Sequence, residues 1–254
     1  MKRVLTAFLL IPTVVYVIFG GPPWLFQAVV LLMGAFCFRE YASIVAAQGI
    51  AIPELAGHAA GVTLVLAPVA DWRLLLLFTV LAMVWALRAS DLRDALPQAS
   101  ALLLGVVYVY GAWRCAPYLR TFDSWWIFFA VSINWVGDTA AFYVGKSIGK
   151  HKLAPRISPA KTWEGASGAV IFSVIYGVVL LGWALPGVPL WHIALLSLGA
   201  NVAGQLGDLA ESAMKRGAGV KDSGTMLPGH GGWLDRLDSS LFSMPAVALY
   251  LSFQ

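Results

Sequence analysis

The stretch VLTAFLLIPTVVYVIFG, Val4 to Gly20, decides what class of fold this chain can adopt. Preceded by Met1-Lys2-Arg3, it has the basic start and apolar body of a secretory signal peptide. It is also about as long as a membrane span, no A-x-A-like cleavage site follows it, and further apolar segments come at once. We read it as an uncleaved first span. The rest of the chain agrees: 254 residues that are 59% hydrophobic and 12% charged, with eleven Trp, would leave a soluble domain far too much apolar surface in water.

Apolar runs of span length recur near residues 4–20, 24–38, 55–70, 72–87, 100–119, 124–145, 166–185, 189–212 and 239–253. Gly20-Gly21-Pro22-Pro23 and Pro186-Gly187-Val188-Pro189 supply tight turns between them, since proline ends one helix and pre-sets the next. The pattern predicts an all-α polytopic membrane protein of about nine transmembrane helices. Cys37 and Cys115 lie in apolar segments without metal or redox spacing and read as small buried hydrophobes. With the loops alternating, the basic residues at 2, 3, 39, 88, 93, 146–161 and 215–236 fall on one side and only Arg73 and Arg120 on the other. The positive-inside bias therefore puts the N-terminus and the basic loops in the cytoplasm. Arg114, inside YGAWRCAPY, has no partner legible in the sequence.

Charge is also gathered along the chain, between Asp138 and Glu164 and between Asp208 and Asp238. A topology signal needs lysine and arginine but has no use for Asp138, Asp208, Asp235 and Asp238. A carboxylate at the centre of a span costs roughly 2.5–3.5 kcal/mol, so these acids should face a polar cavity and have partners. In NVAGQLGDLAESAMK, Asn201, Gln205, Asp208, Ser212 and Lys215 advance by four, three, four and three, which stacks them on one helical stripe with Glu211 beside it. Such a stripe lines a water-filled funnel or forms a polar seam between helices. Asn134 and Asp138 repeat the spacing in INWVGDTAAF, where Gly137 admits a close neighbour. Asp235 and Asp238 stand one turn apart if helical, and oxygen-only ligands suit Mg²⁺ rather than zinc. His58, His151 and His192 are isolated and take no role. Lysines and arginines around the acids, with glycines in PGHGG, compose the mixture that a metal-bridged polyphosphate requires. GKS at 145–147 is no P-loop, because Ala140 stands where its first glycine is needed and no strand precedes it.

SAMKRGAGVKDSGTMLPGHGGWLDRLD resembles the signature of the phosphatidate cytidylyltransferase (CDP-diacylglycerol synthase) family, and GDTAAFYVGKSIGKHKLAPRISPAKTWEG and GQLGDLAES look like its other blocks. The resemblance covers about residues 130–240. Trp233 departs from it, standing where the family has an aliphatic residue or phenylalanine.

The resemblance implies transfer of CMP from CTP to phosphatidic acid, with release of pyrophosphate and a requirement for Mg²⁺, alone or with a second cation. Residues 1–123 would then be N-terminal transmembrane helices, and 124–254 a catalytic transmembrane region. Its loops 146–165 and 213–238 and its polar cavity would face the cytoplasm from the inner membrane. Asp208, Asp235 and Asp238, with Asp138, would hold metal. Lys161, Lys215, Lys221 and His230 would act on the phosphates, and Ser158, Thr162, Ser212, Arg216, Gly231 and Gly232 would bind substrate. Partners would be CTP, phosphatidic acid, membrane lipids and a second copy of the chain, but no nucleic acid. A channel, a CTP-using lipid kinase and a lipid-binding scaffold are the rivals.

Overall fold

The structure, a computed structural model, describes residues 2–67, 72–227, 229 and 231–254, and over residues 2–10 the backbone alone. Along the chain come α1 (Lys2–Phe19), α2 (Pro23–Ala47), α3 (Glu54–Leu66), α4 (Trp72–Ala86), α5 (Ala95–Gly105), α6 (Ala112–Phe122) and α7 (Ser124–Ile148). The strands β1 (Lys152–Ala154) and β2 (Ser158–Thr162) follow, then α8 (Trp163–Ala184), α9 (Leu190–Gly217), α10 (Leu234–Leu237) and α11 (Ser240–Leu251).

Among the described residues, five helices are long and apolar enough to cross a bilayer: Pro23–Ala47, Leu92–Phe122, Ser124–Ile148, Trp163–Ala184 and Leu190–Gly217. The second is continuous from α5 to α6 through a π-helical stretch, Val106–Gly111. Their outer faces carry exposed Leu, Ile and Trp, such as Ile175, Val179 and Trp183 on α8, a surface suited to lipid. The chain is an integral membrane protein. Three further apolar helices, α3, α4 and α11, run 13, 15 and 12 residues. At 1.5 Å per residue each reaches about 18–22 Å, short of a hydrocarbon core of about 30 Å.

Helix boundaries follow local chemistry. Pro23 at the first position of α2 has φ pre-set for a helix, and Gly49, at φ +81°, lets the chain leave it. Asp123 caps α7 by accepting from Trp125 N at 2.9 Å, and Thr162 caps α8 by accepting from Gly165 N at 3.1 Å. The short antiparallel pair β1–β2, joining Lys152 to Thr162 and Ala154 to Ser158, is an addition to the all-α expectation.

Contacts gather the chain into two units that interleave along the sequence: Met1–Leu5, Pro22–Arg114 and Met214–Arg236 in one, and Thr6–Gly21, Cys115–Ala213 and Leu237–Gln254 in the other. The core of the first is aromatic. Tyr41 donates to Ala101 O at 2.8 Å, and Tyr110 packs against Phe38 and meets His58 Nδ1 at 2.7 Å. Arg114 belongs here, its Nη1 donating to the carbonyls of Leu64 and, at 2.8 Å, Ala67. Those are orphan carbonyls at the end of α3, so the arginine caps that helix. In the second unit α7 and α8 pack along their lengths and α11 lies against α7. Asn134 Nδ2 donates to Ser243 Oγ at 2.8 Å, joining α7 to α11.

Candidate active site

In the second unit the stripe on α9 serves two ends. Its upper half is a seam: Asn201 is buried, accepts from Gln205 Nε2 at 2.7 Å, and lies so close to Gly137 that a Cβ there would stand 2.3 Å from its amide nitrogen. Gly204 likewise makes room for Asn134. The lower half opens into a cleft of about 360 Å³ whose walls include Asp138, Lys146, Lys161, Thr162, Gln205 and Asp208. That volume suits part of a small-molecule ligand. β2 brings Lys161 to the cleft, where its Nζ meets Asp208 Oδ2 at 2.5 Å, both side chains being partly exposed. Ser212 donates to Asp208 Oδ1 at 3.3 Å. Thr162, a predicted substrate contact, spends its hydroxyl on capping α8 while lining the cleft. Ser158 is half-buried on β2.

Asp238, just before α11, is buried and accepts from Ser239 N at 2.7 Å. Its carboxyl is pushed well above the ordinary range by burial first, then by the negative charges of Asp208 and Glu211, with a smaller push from Asp138. Three acids therefore act on Asp238 here, and all four offer hard oxygen donors of the kind Mg²⁺ prefers. Among the described residues no three acidic, histidine or cysteine side chains close on one ion by themselves. An ion there would complete its shell with water and phosphate oxygens, as Mg²⁺ commonly does. Glu211, fully buried, is the member of this group that the sequence reading left without a role.

In the first unit the segment 214–236 folds around Asp235. Its Oδ1 meets Lys215 Nζ at 2.5 Å, and its Oδ2 accepts from Ser223 N at 2.9 Å and Gly232 N at 2.8 Å. Burial raises the Asp235 carboxyl, but Lys215 and the two amides outweigh it and hold it below the ordinary range. Asp235 and Asp238 thus have different neighbours. Gly231, at φ +80°, turns the chain so that its carbonyl accepts from Leu227 N at 2.9 Å. Arg216 Nη1 donates to Val220 O at 3.1 Å, and Lys221 is exposed. His230 lies outside the described residues.

The residue that sequence reasoning missed altogether is Glu40, on α2. It is 4% exposed, and it accepts from Ser223 Oγ at 2.8 Å, Trp233 N at 3.0 Å and Leu234 N at 2.8 Å. Trp233, the departure from the family pattern, stacks on Phe36 with ring centroids 5.8 Å apart. An acid next to Arg39, with apolar stretches on both sides, was the available signal.

Comparison with known proteins speaks to the family of the chain. A phosphatidate cytidylyltransferase of Bacillus subtilis is 42% identical over 154 residues, 59% of this chain and 57% of its own. One from Staphylococcus saprophyticus is 37% identical over 224 residues, 87% of this chain and 83% of its own, and one from Staphylococcus haemolyticus is 41% identical over 159 residues, 63% and 61%. The match to the Bacillus protein thus spans little more than half of that relative. The description of the cytidylyltransferase family fits residues 1–254, and with both the cleft and the Asp235 loop inside that match, the chain belongs to the cytidylyltransferase family.

Proposed function

We propose that the chain transfers CMP from CTP to phosphatidic acid, giving CDP-diacylglycerol and pyrophosphate. A phosphate oxygen of the lipid would form a bond to the α-phosphorus of CTP while the bond from that phosphorus to the bridging oxygen breaks and pyrophosphate leaves. The attacking monoester is already ionised, so alignment and charge neutralisation are the whole catalytic task. The observation that carries the proposal is the cleft in which Lys161 and Asp208 face each other, in a member of this family. A lone anion site would have no use for the acid, and a cation path none for the lysine.

In this proposal Asp208, Asp238 and Asp138 hold Mg²⁺, which when bound supplies positive charge against the phosphates. Lys161 and Ser212 serve the cleft, with Ser158 and Thr162 at its edge. Lys215 and Arg216, at the end of α9, and the loop of Lys221, His230, Gly231 and Gly232 hold the triphosphate, glycine letting the backbone come close to the phosphates. Asp235 keeps that loop in order through Lys215. The N-terminus lies in the cytoplasm, and α1, α3, α4 and α11 complete nine crossings, with the bilayer thinned around the shorter helices.

The test is pyrophosphate release by purified protein given CTP, phosphatidic acid and Mg²⁺. Pyrophosphate and CDP-diacylglycerol in equal amounts are expected. CDP with a phosphorylated lipid would mean γ-phosphate transfer, and no product beside an active relative would overturn the proposal.

A further inference from the structure

Glu40 is a carboxylate in the middle of the N-terminal half, far in sequence from every residue assigned to catalysis. Its partners lie 183 to 194 positions later. Its Oε1 accepts from Trp233 N, and its Oε2 accepts from both Ser223 Oγ and Leu234 N. The loop is shaped to admit it: a Cβ on Gly232 would stand 2.3 Å from Glu40 Oε2, and one on Gly224 would stand 2.6 Å from Oε1. Ser223 then passes the constraint on. Its hydroxyl donates to Glu40 and accepts from Asp235 N at 3.3 Å, and its own N–H donates to Asp235 Oδ2, the carboxylate that holds Lys215. A carboxylate buried for structure alone is a costly device, since an apolar side chain of similar volume would fill the space without losing hydration. What the carboxylate adds is direction: three donors from two stretches of one loop are fixed to two oxygens.

We infer that Glu40 is the positioning residue for the triphosphate-binding loop, so that the N-terminal helices take part in nucleotide binding as well as in anchoring the chain. The inference deepens the proposed function and rests on it for the identity of the ligand. Two arms test it. In the kinetic arm, Glu40→Ala raises KM for CTP tenfold or more and leaves KM for phosphatidic acid within about twofold. Glu40→Gln, which can still offer one oxygen and keep up to two of the three bonds, falls between Ala and the unmodified chain. General loss of folded protein would lower kcat alone, and that result, or equal rises in both KM values, overturns the inference. In the second arm, trypsin cleavage after exposed Lys221 is followed at a temperature where buried Cys37 stays unreactive to a thiol dye. Cleavage should quicken at least fivefold in Glu40→Ala, with Glu40→Gln intermediate; an unchanged rate overturns the inference. Should the unmodified chain release no pyrophosphate, the proposed function fails, and the proteolysis arm still decides whether Glu40 fixes the loop.

Discussion

Replacing Lys215 by Met removes one partner of an ion pair whose side chains are only 10% and 8% exposed. Breaking a buried pair from one side costs about 3–5 kcal/mol, because the remaining charge stays buried without its counterpart. Asp235 keeps two amide donors on Oδ2, from Ser223 and Gly232, so the lower end, about 3 kcal/mol, applies. For a chain of this size that corresponds to a fall in Tm of about 6–12 °C. Adding Asp235→Asn to Lys215→Met removes the stranded charge while leaving an oxygen for the two amides, and should restore most of the loss. The assay is thermal unfolding in detergent with a thiol-reactive fluorophore, reading Cys37, which is 0% exposed, in a Cys115→Ala background. A shift below about 2 °C for Lys215→Met, or a double variant less stable than the single one, would refute the reasoning.

Three other perturbations have definite signs. Lys161→Gln breaks a pair whose side chains are each 28% exposed, so it should cost under about 1 kcal/mol in stability. Pyrophosphate release should fall about a hundredfold or more, and a loss of activity matched by a loss of folded protein would contradict this. Asp238→Asn removes a buried charge and with it the repulsion from Asp208 and Glu211, so without Mg²⁺ its Tm at neutral pH should rise even as turnover disappears. Because the folded chain holds the Asp238 proton to higher pH than the unfolded one, the stability contributed by this group is complete below the ordinary carboxylate range. It is lost as pH climbs through the raised value. The Asn variant should lack that decline, and a profile parallel to the original's would count against the assignment. Arg114→Leu leaves the Leu64 and Ala67 carbonyls without their donor at about 1–3 kcal/mol each, and Arg114→Lys should recover part of the lost Tm.

The sequence made the membrane helices legible because apolar periodicity is local information. Their ends were less so: α2 continues to Ala47, past Arg39 and Glu40, because the acid there finds donors that no local window contains. The β1–β2 pair is not legible in the sequence because its strands are short and charged, with Pro155 directly after the first and Pro159 inside the second. His151, given no role, meets Glu164 at 2.6 Å beside it. The α9 stripe was readable as a stripe, but spacing alone does not say which part faces protein and which part faces a cleft. Asn201 against Gly137 and Asp208 against Lys161 answer that differently at two levels of one helix.

The contact between Lys161 and Asp208 has a bearing on selectivity at the cleft mouth. In the structure the charges of the two side chains cancel each other. A visitor with only negative charge, such as inorganic phosphate, could claim the ammonium group but would strand the aspartate, and a bare monovalent cation would strand the lysine. Admission therefore favours cargo that arrives carrying both signs, and few small molecules do so by accident.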